Sequence, residues 1–247
     1  MDSTNDCAFA ALESGSGRHG DVFIASSQRA GRGTRGRQWT SRPGGLYLSA
    51  ILESPQMPPP GLWTVSGALA CHDLAEDVGV LARLDWPNDL VSTSEEKIAG
   101  VLAESRGLSE SGPAIFVLGV GINVAEAVNE SQLDRERPVA SLAELGGSMT
   151  LDETLEQLLV RLGERVDQAL QRPGSVYGAF FDRCQQSGRD VIVDVAGHEV
   201  EGRFEGLAGD GSLRLISREG TAKTFSIAHV RSLRTGRAVE ERLNPGS

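Results

Sequence analysis

Gly31-Arg32-Gly33-Thr34-Arg35-Gly36-Arg37-Gln38-Trp39-Thr40-Ser41-Arg42-Pro43-Gly44-Gly45 contains the spacing Gly31-x-Gly33-x-x-Gly36, a formal dinucleotide fingerprint, yet it reads against a Rossmann fold. A Rossmann glycine turn opens into a helix whose N-terminal amides and dipole hold the phosphates. Here the chain after Gly36 runs through Arg37, Ser41, Pro43 and two further glycines, which cannot be that helix. Glu53 stands near the distance expected of an acidic ribose partner, but the missing helix removes its meaning. Arg29, Arg32, Arg35 and Arg37 put the positive charge on side chains instead. Such a loop suits a polyphosphate or an acyl phosphate. Taken alone, it also suits a solvated Gly/Arg loop or an RNA contact. RNA would call for exposed aromatics to stack on bases, and only Trp39 is near.

Outward from the loop, residues 22–25 and 46–52 read as strands, with Pro43-Gly44-Gly45 as a turn. Ser3, Thr4 and Asn5 are N-cap types ahead of a short helix, and residues 62–78 carry a helical apolar period. Residues 81–86 and 90–93 flank the turn in Trp86-Pro87-Asn88-Asp89, and residues 98–103 and 114–124 are apolar strands. Strand, turn and strand should return Lys97 to the neighbourhood of Asp89. A lone lysine beside an Asn-Asp turn and an arginine loop forms a set that can activate a carboxylate with ATP. Gly119-Val120-Gly121-Ile122-Asn123 places two glycines in a strand, which predicts either close approach by a ligand or a simple bulge. Helices follow at 151–170 and 176–186. After Ser187, short strands at 191–195, 200–207, 212–216, 222–227 and 230–233 alternate with glycine turns, predicting a small β-barrel. The expected division is residues 1–187, residues 188–236, and a polar tail over 237–247.

The chain has 247 residues, 39% of them hydrophobic, so it can bury a sizeable core. No stretch approaches the length of a membrane span, and the acidic N-terminus is no signal peptide. Cys7, Cys71 and Cys184 are an odd, scattered set with no CxxC pair, which fits a cytoplasmic protein. A net charge of -10 disfavours general nucleic-acid binding. Lys97 and Lys223 are the only lysines among 24 basic residues. Genome composition accounts for that bias, but Arg could not replace Lys97 as a compact point charge. His19, His72, His198 and His229 show no metal-ligand spacing, and His72 should pack on its helix.

Asp2-Ser3-Thr4-Asn5, Gln28, the Arg/Gly loop, Trp86-Pro87-Asn88-Asp89, Lys97-x-x-Gly100 and Gly119-x-Gly121-Ile122-Asn123 follow one another in an order that resembles the biotin protein ligases. The likeness is strong over residues 2–124 and weaker beyond, where Ser232-Leu233-Arg234 resembles a closing motif. It implies an α+β fold: a class II synthetase-like mixed β-sheet with flanking helices, then an SH3-like barrel. It also implies ATP-dependent conversion of biotin to biotinyl-5′-AMP and transfer to a lysine of a biotin carboxyl-carrier protein, with Mg²⁺ entering on ATP. By the same likeness, Ser3, Thr4, Asn5 and Gln28 meet biotin, and Arg32, Gly33 and Thr34 close over biotin and the acyl phosphate. Lys97 holds the carboxylate and α-phosphate. Gly31, Arg35, Gly36, Arg37, Trp39, Asn88, Asn123 and Arg234 belong to the ATP side. Lys97, Asp89 and Arg32 are the catalytic candidates, and Asp89 can help deprotonate the acceptor lysine. Some relatives carry an N-terminal winged helix; a first motif at Asp2 leaves no room for one here. Thr34 stands where the family usually has arginine, and Asp85 where it often has lysine. A lipoate or octanoate ligase, or a non-catalytic biotin-binding module, are the alternatives. No membrane or nucleic-acid partner is expected, and a homodimer is left open.

Overall fold

Residues 45–54 of this computed structural model are buried along almost their whole length, because helices cover both faces of the strand they form. The structure describes residues 1–41, 43–59, 61–106, 113–125 and 137–236. The proposed tail over 237–247 lies outside them. That strand, β2 (Gly45–Ser54), pairs with β1 (Val22–Ala25) on one side and β6 (Ala114–Asn123) on the other. The sheet continues through β5 (Lys97–Glu104) and β4 (Asp89–Ser92) to β3 (Ala82–Asp85). Every ladder in it is antiparallel, which corrects the expected mixed sheet. Among the described residues, parallel pairing is confined to two isolated bridges, Leu84 with Cys184 and Lys97 with Val139. The sheet contains a tight hairpin at β3–β4, and strands joined by short connections pair antiparallel.

On one face lies α1 (Thr4–Glu13), capped by the Ser3 side chain, with Phe9 packed on Ile51 and Val117. On the other lies α2 (Leu62–Asp77), apolar around most of its circumference because it is sandwiched between the sheet and two outer helices. These are α3 (Leu151–Gln171), opened by a Thr150/Glu153 capping box, and α4 (Pro173–Arg183). The last helix starts and stops three residues earlier than its apolar pattern suggests. Pro173 favours the first turn, and Gln185 N leaves to donate to Leu84 O at 2.8 Å.

Beyond it, β7 (Asp190–Val195), β8 (His198–Leu207), β9 (Leu213–Ile216), β10 (Ala222–Phe225) and β11 (Val230–Thr235) form a second antiparallel sheet. Its order is β10-β9-β8-β7-β11, and no pairing of β10 with β11 closes it among the described residues. One apolar cluster runs from Leu48 and Leu69 through Tyr177 and Phe180 to Phe204 and Leu215, so the core of the first sheet continues into the second. Among the described residues, no helix is long and apolar enough to cross a membrane.

Candidate active site

A cleft of about 650 Å³ opens on the α1 face of the large sheet, roofed by the Arg/Gly loop and walled on one side by residues 227–233. Its floor explains the paired glycines. Gly119 and Gly121 point to one face of β6, and Gly121 pairs with Gly100 across β5. A Cβ on Gly121 would lie 2.6 Å from the Trp39 ring, and one on Gly100 would lie 2.7 Å from it. Asn5 packs over Gly119 in the same way. Pairing through both glycines is regular, so there is no bulge there. The close approach is made by this chain's own side chains.

The loop folds back on itself: Gly33 N donates to Arg37 O at 2.8 Å and Trp39 N to Gly31 O at 2.9 Å. Gly31 lets these strands pass closely, since a Cβ there would lie 2.6 Å from Trp39 O. The tip, Thr34–Gly36, is a single 3-10 turn in which Arg35 (φ 61°) and Gly36 (φ 74°) adopt left-handed backbone. Arg32 is held by two carboxylates, Asp6 at 2.9 Å and Glu104 at 2.7 Å. Arg35 donates to Val230 O at 3.4 Å. Burial, then neighbouring Arg37, holds its guanidinium below the ordinary value, against a weaker pull from Asp194. Arg37 also borders the cleft.

Beneath the loop, the first helical turn builds a polar nest. Gln28 Oε1 accepts from Thr4 N at 2.8 Å, and Gln28 Nε2 donates to Ser41 Oγ at 2.8 Å. Ser49 Oγ lies 2.7 Å from Thr4 Oγ1 and 2.5 Å from Asn5 Oδ1. Asn5 Nδ2 donates to Glu104 at 2.7 Å. Ser3 borders the same space.

Across the floor stands Lys97. The β4–β5 register shifts between Leu90 and Val91, leaving Ile98 as an extra residue. That bulge resets the alternation, so Lys97 rather than Ile98 faces Val91 and shares the side of Asp89. Its Nζ lies 2.8 Å from Asp89 Oδ2 and 5.1 Å from the centre of the Trp39 ring. Asn123 Nδ2 donates to Lys97 O and Ala140 O, both at 3.2 Å, and fixes the lysine's backbone. Asn88 Nδ2 donates to Asp89 Oδ1 at 2.9 Å and to Val101 O at 3.1 Å. Burial pushes the Asp89 carboxyl above the usual carboxylate range; Lys97 opposes this, Asp85 adds to it, and Arg137 opposes it.

Ser3, Thr4, Asn5, Gln28, Arg32, Gly33, Thr34, Arg35, Arg37, Trp39, Asn88, Asp89, Lys97 and Asn123 therefore meet in one cleft. Gly31 and Gly36 shape the loop without lining it. Arg234 lies elsewhere: it is exposed and paired with Glu199 at 2.8 Å, while Arg231 and Ser232 face the cleft. Arg234 shares a face of β11 with Ser232 but stands two residues further along the strand, opposite Ile192, where Glu199 takes it. Sequence reasoning missed Ser49, Glu104 and Arg137. Each stands outside a turn or glycine motif and gains meaning only from its neighbours in space. His72, Asp73 and Glu76 could in principle gather a cation, but Arg165 takes both Asp73 oxygens, at 2.6 and 2.7 Å. That cluster also lies outside the cleft.

An antiparallel α+β domain with a cationic loop folded over a polar nest and a lysine–aspartate pair is a scaffold for binding a small acid beside a phosphate. The profile of the Biotin/lipoate A/B protein ligase family matches residues 1–123. A biotin–[acetyl-CoA-carboxylase] ligase of Paracoccus denitrificans is 33% identical, over 87% of this chain and 90% of that one. The bifunctional ligase/repressor BirA of Escherichia coli is 32% identical, over 91% and 70%. A solved biotin protein ligase from Aquifex aeolicus, in complex with biotin and ATP, superposes with a TM-score of 0.76 at 26% identity, covering 95% of this chain and 96% of that one. The chain belongs to the biotin/lipoate protein ligase family, and the Paracoccus and Aquifex proteins, which it matches over nearly their whole length, are biotin ligases.

Proposed function

We propose that this enzyme joins biotin to ATP as biotinyl-5′-AMP and transfers the biotinyl group to a lysine of a biotin carboxyl-carrier protein. A biotin carboxylate oxygen attacks the α-phosphorus and pyrophosphate leaves. The carrier amine then attacks the acyl carbon and AMP leaves. The observation that carries this reading is Lys97, 2.8 Å from Asp89, at the floor of the same cleft that the arginine loop roofs. Both steps gather negative charge on phosphate oxygens, and preorganised cations there lower the barrier.

Thr4, Asn5 and Gln28, with Ser49, offer donors and acceptors suited to the polar head of biotin. Lys97 bridges its carboxylate and the α-phosphate. Arg32, Arg35 and Arg37 neutralise phosphate oxygens, Trp39 and Asn123 border the nucleotide, and Asp89 takes a proton from the acceptor. Magnesium would arrive bound to the phosphates of ATP, and Asn88 would help orient the nucleotide. We read β7–β11 as an SH3-like unit, residues 188–236, that walls the cleft, and the cytoplasm as the place where free thiols, ATP and carrier meet.

The test is incubation with biotin, Mg-ATP and a carrier domain, followed by the carrier's mass. One biotinyl addition per carrier is expected. Addition from lipoate or octanoate in place of biotin would overturn the reading.

A further inference from the structure

Arg137 borders the cleft without belonging to any motif. Its segment runs beside Lys97, where Lys97 N donates to Pro138 O at 2.8 Å and Ala140 N to Lys97 O at 3.1 Å. Arg137 Nη1 meets Asp85 Oδ2 at 2.5 Å and lies 3.8 Å from Asp89 Oδ2. Asp85 is itself anchored. Its other oxygen accepts from Gln186 Nε2, while Gln186 Oε1 accepts from Trp86 N at 3.3 Å and Cys184 Sγ at 2.9 Å. The guanidinium is thus clamped at the Asp89 end of the cleft.

Among the described residues, four groups face Asp89: Lys97 on β5, Asn88 in the turn, Asp85 on β3, and Arg137. On the function proposed above, on which this inference rests, Lys97 turns to the acyl phosphate as biotin is activated. Asp89 then loses its nearest cation while still buried beside Asp85. Burial and Asp85 both favour the protonated acid, which cannot serve as a base. We propose that Arg137, clamped by Asp85, is a positioning residue that keeps Asp89 ionised in the adenylate-loaded enzyme and so sets the lower pH limit of transfer to the carrier lysine. In that step Asp89 takes one proton from the acceptor ammonium, and the amine nitrogen bonds to the anhydride carbonyl carbon. The bond from that carbon to the bridging oxygen breaks, AMP departs with the electron pair, and the second amine proton goes to water.

The experiment is single-turnover transfer from preformed biotinyl-AMP to a carrier domain across a pH series, with wild type, Arg137→Gln, Arg137→Lys and Asp89→Asn. Dividing each variant's rate by wild type cancels the titration of the acceptor lysine. Without Arg137, Asp89 protonates at higher pH. The Arg137→Gln ratio should therefore approach one in base and fall at least about fivefold in acid, as for loss of a half-screened charge. Arg137→Lys should stay near one throughout. The Arg137→Gln ratio for pyrophosphate release should be flat with pH, and that release also reports that the variant is folded. A transfer ratio that is flat with pH, or a lysine variant as acid-sensitive as the glutamine one, overturns the role of Arg137. Transfer by Asp89→Asn at the wild-type rate would instead overturn the base reading beneath it.

Discussion

Lys97 is half-buried, and a carboxylate, an indole face and two backbone hydrogen bonds fix where its charge sits. Replacing it by alanine leaves Asp89 without its closest cation and the cleft floor without a charge. Lys97→Ala should lose adenylate formation by at least ~1.5–3 kcal/mol of transition-state stabilisation while keeping its melting temperature near wild type. Pyrophosphate release within a few-fold of wild type would rule out the role. Lys97→Arg should rescue little, since a planar fork needs a different geometry from a point charge. Thr34 is the opposite case, a position in the roof without charge. A reactive adenylate is retained by the cations around it, so Thr34→Arg should cut biotinylation of a bystander protein about two- to fivefold, as one half-exposed charge can do. Compensation by Arg35 is the rival account. Arg35 is already committed to Val230 O, so it would have to give up that contact. Equal bystander labelling by wild type and Thr34→Arg would favour the rival. Site residues that stand in turns or glycine runs were readable from the chain, because the local signal and the chemistry coincide. Ser49, Glu104 and Arg137 were not: serine in a strand, glutamate at a strand end and arginine before a proline are ordinary until the fold sets them against Asn5, Arg32 and Asp89.

Elements were legible in proportion to how much of their definition is local. Helix and strand periods along α2, α3, β2 and β6 place them to within a residue or two, and the cap residue Ser3 marks its helix. The end of α4 was not legible, because the bridge to Leu84 draws the chain away. Nor was strand direction in the sheet, since β2 is buried on both faces and reads as a nearly continuous apolar run, the pattern that parallel strands also show. The bulge at Ile98 is the most consequential hidden feature: a regular ladder would turn Lys97 to the other face. The glycine floor gives a direct test. Gly121→Val would drive a side chain into Trp39, 2.6 Å from the new Cβ. The variant should lose about 1–3 kcal/mol of stability through overpacking and lose most adenylate formation. Normal melting with normal pyrophosphate release would mean that Trp39 yields freely. The roof gives another. Its hairpin is held by few backbone bonds and carries like charges that an anion would quench. Hydrogen exchange across residues 29–41 should slow on binding biotinyl-AMP, and unchanged exchange would detach the loop from the ligand.

At the scale of the whole molecule, the two sheets share one apolar cluster, and the seam is tight enough that a Cβ on Gly61 would sit 2.9 Å from Ile227. A shared core couples the two halves, so unfolding should be a single transition with matching calorimetric and van't Hoff enthalpies, despite the change of pattern near Ser187. Two resolved transitions would show the halves to be independent. That transition should also be acid-sensitive through His72. Its Nδ1 is buried without a hydrogen-bond partner, and burial lowers its pKa. Glu76, at 3.6 Å, pulls the pKa upward, Arg183 lowers it, and Asp73 raises it more weakly. The unfolded chain protonates this imidazole near pH ~6.5. Below that pH the unfolded state binds more protons than the folded one, so stability falls as pH falls until the lowered folded-state value is reached. His72→Gln removes the titration, and its melting temperature should decline less steeply than wild type between neutral and mildly acid pH. If the two decline in parallel, His72 is not the group that acid reaches first.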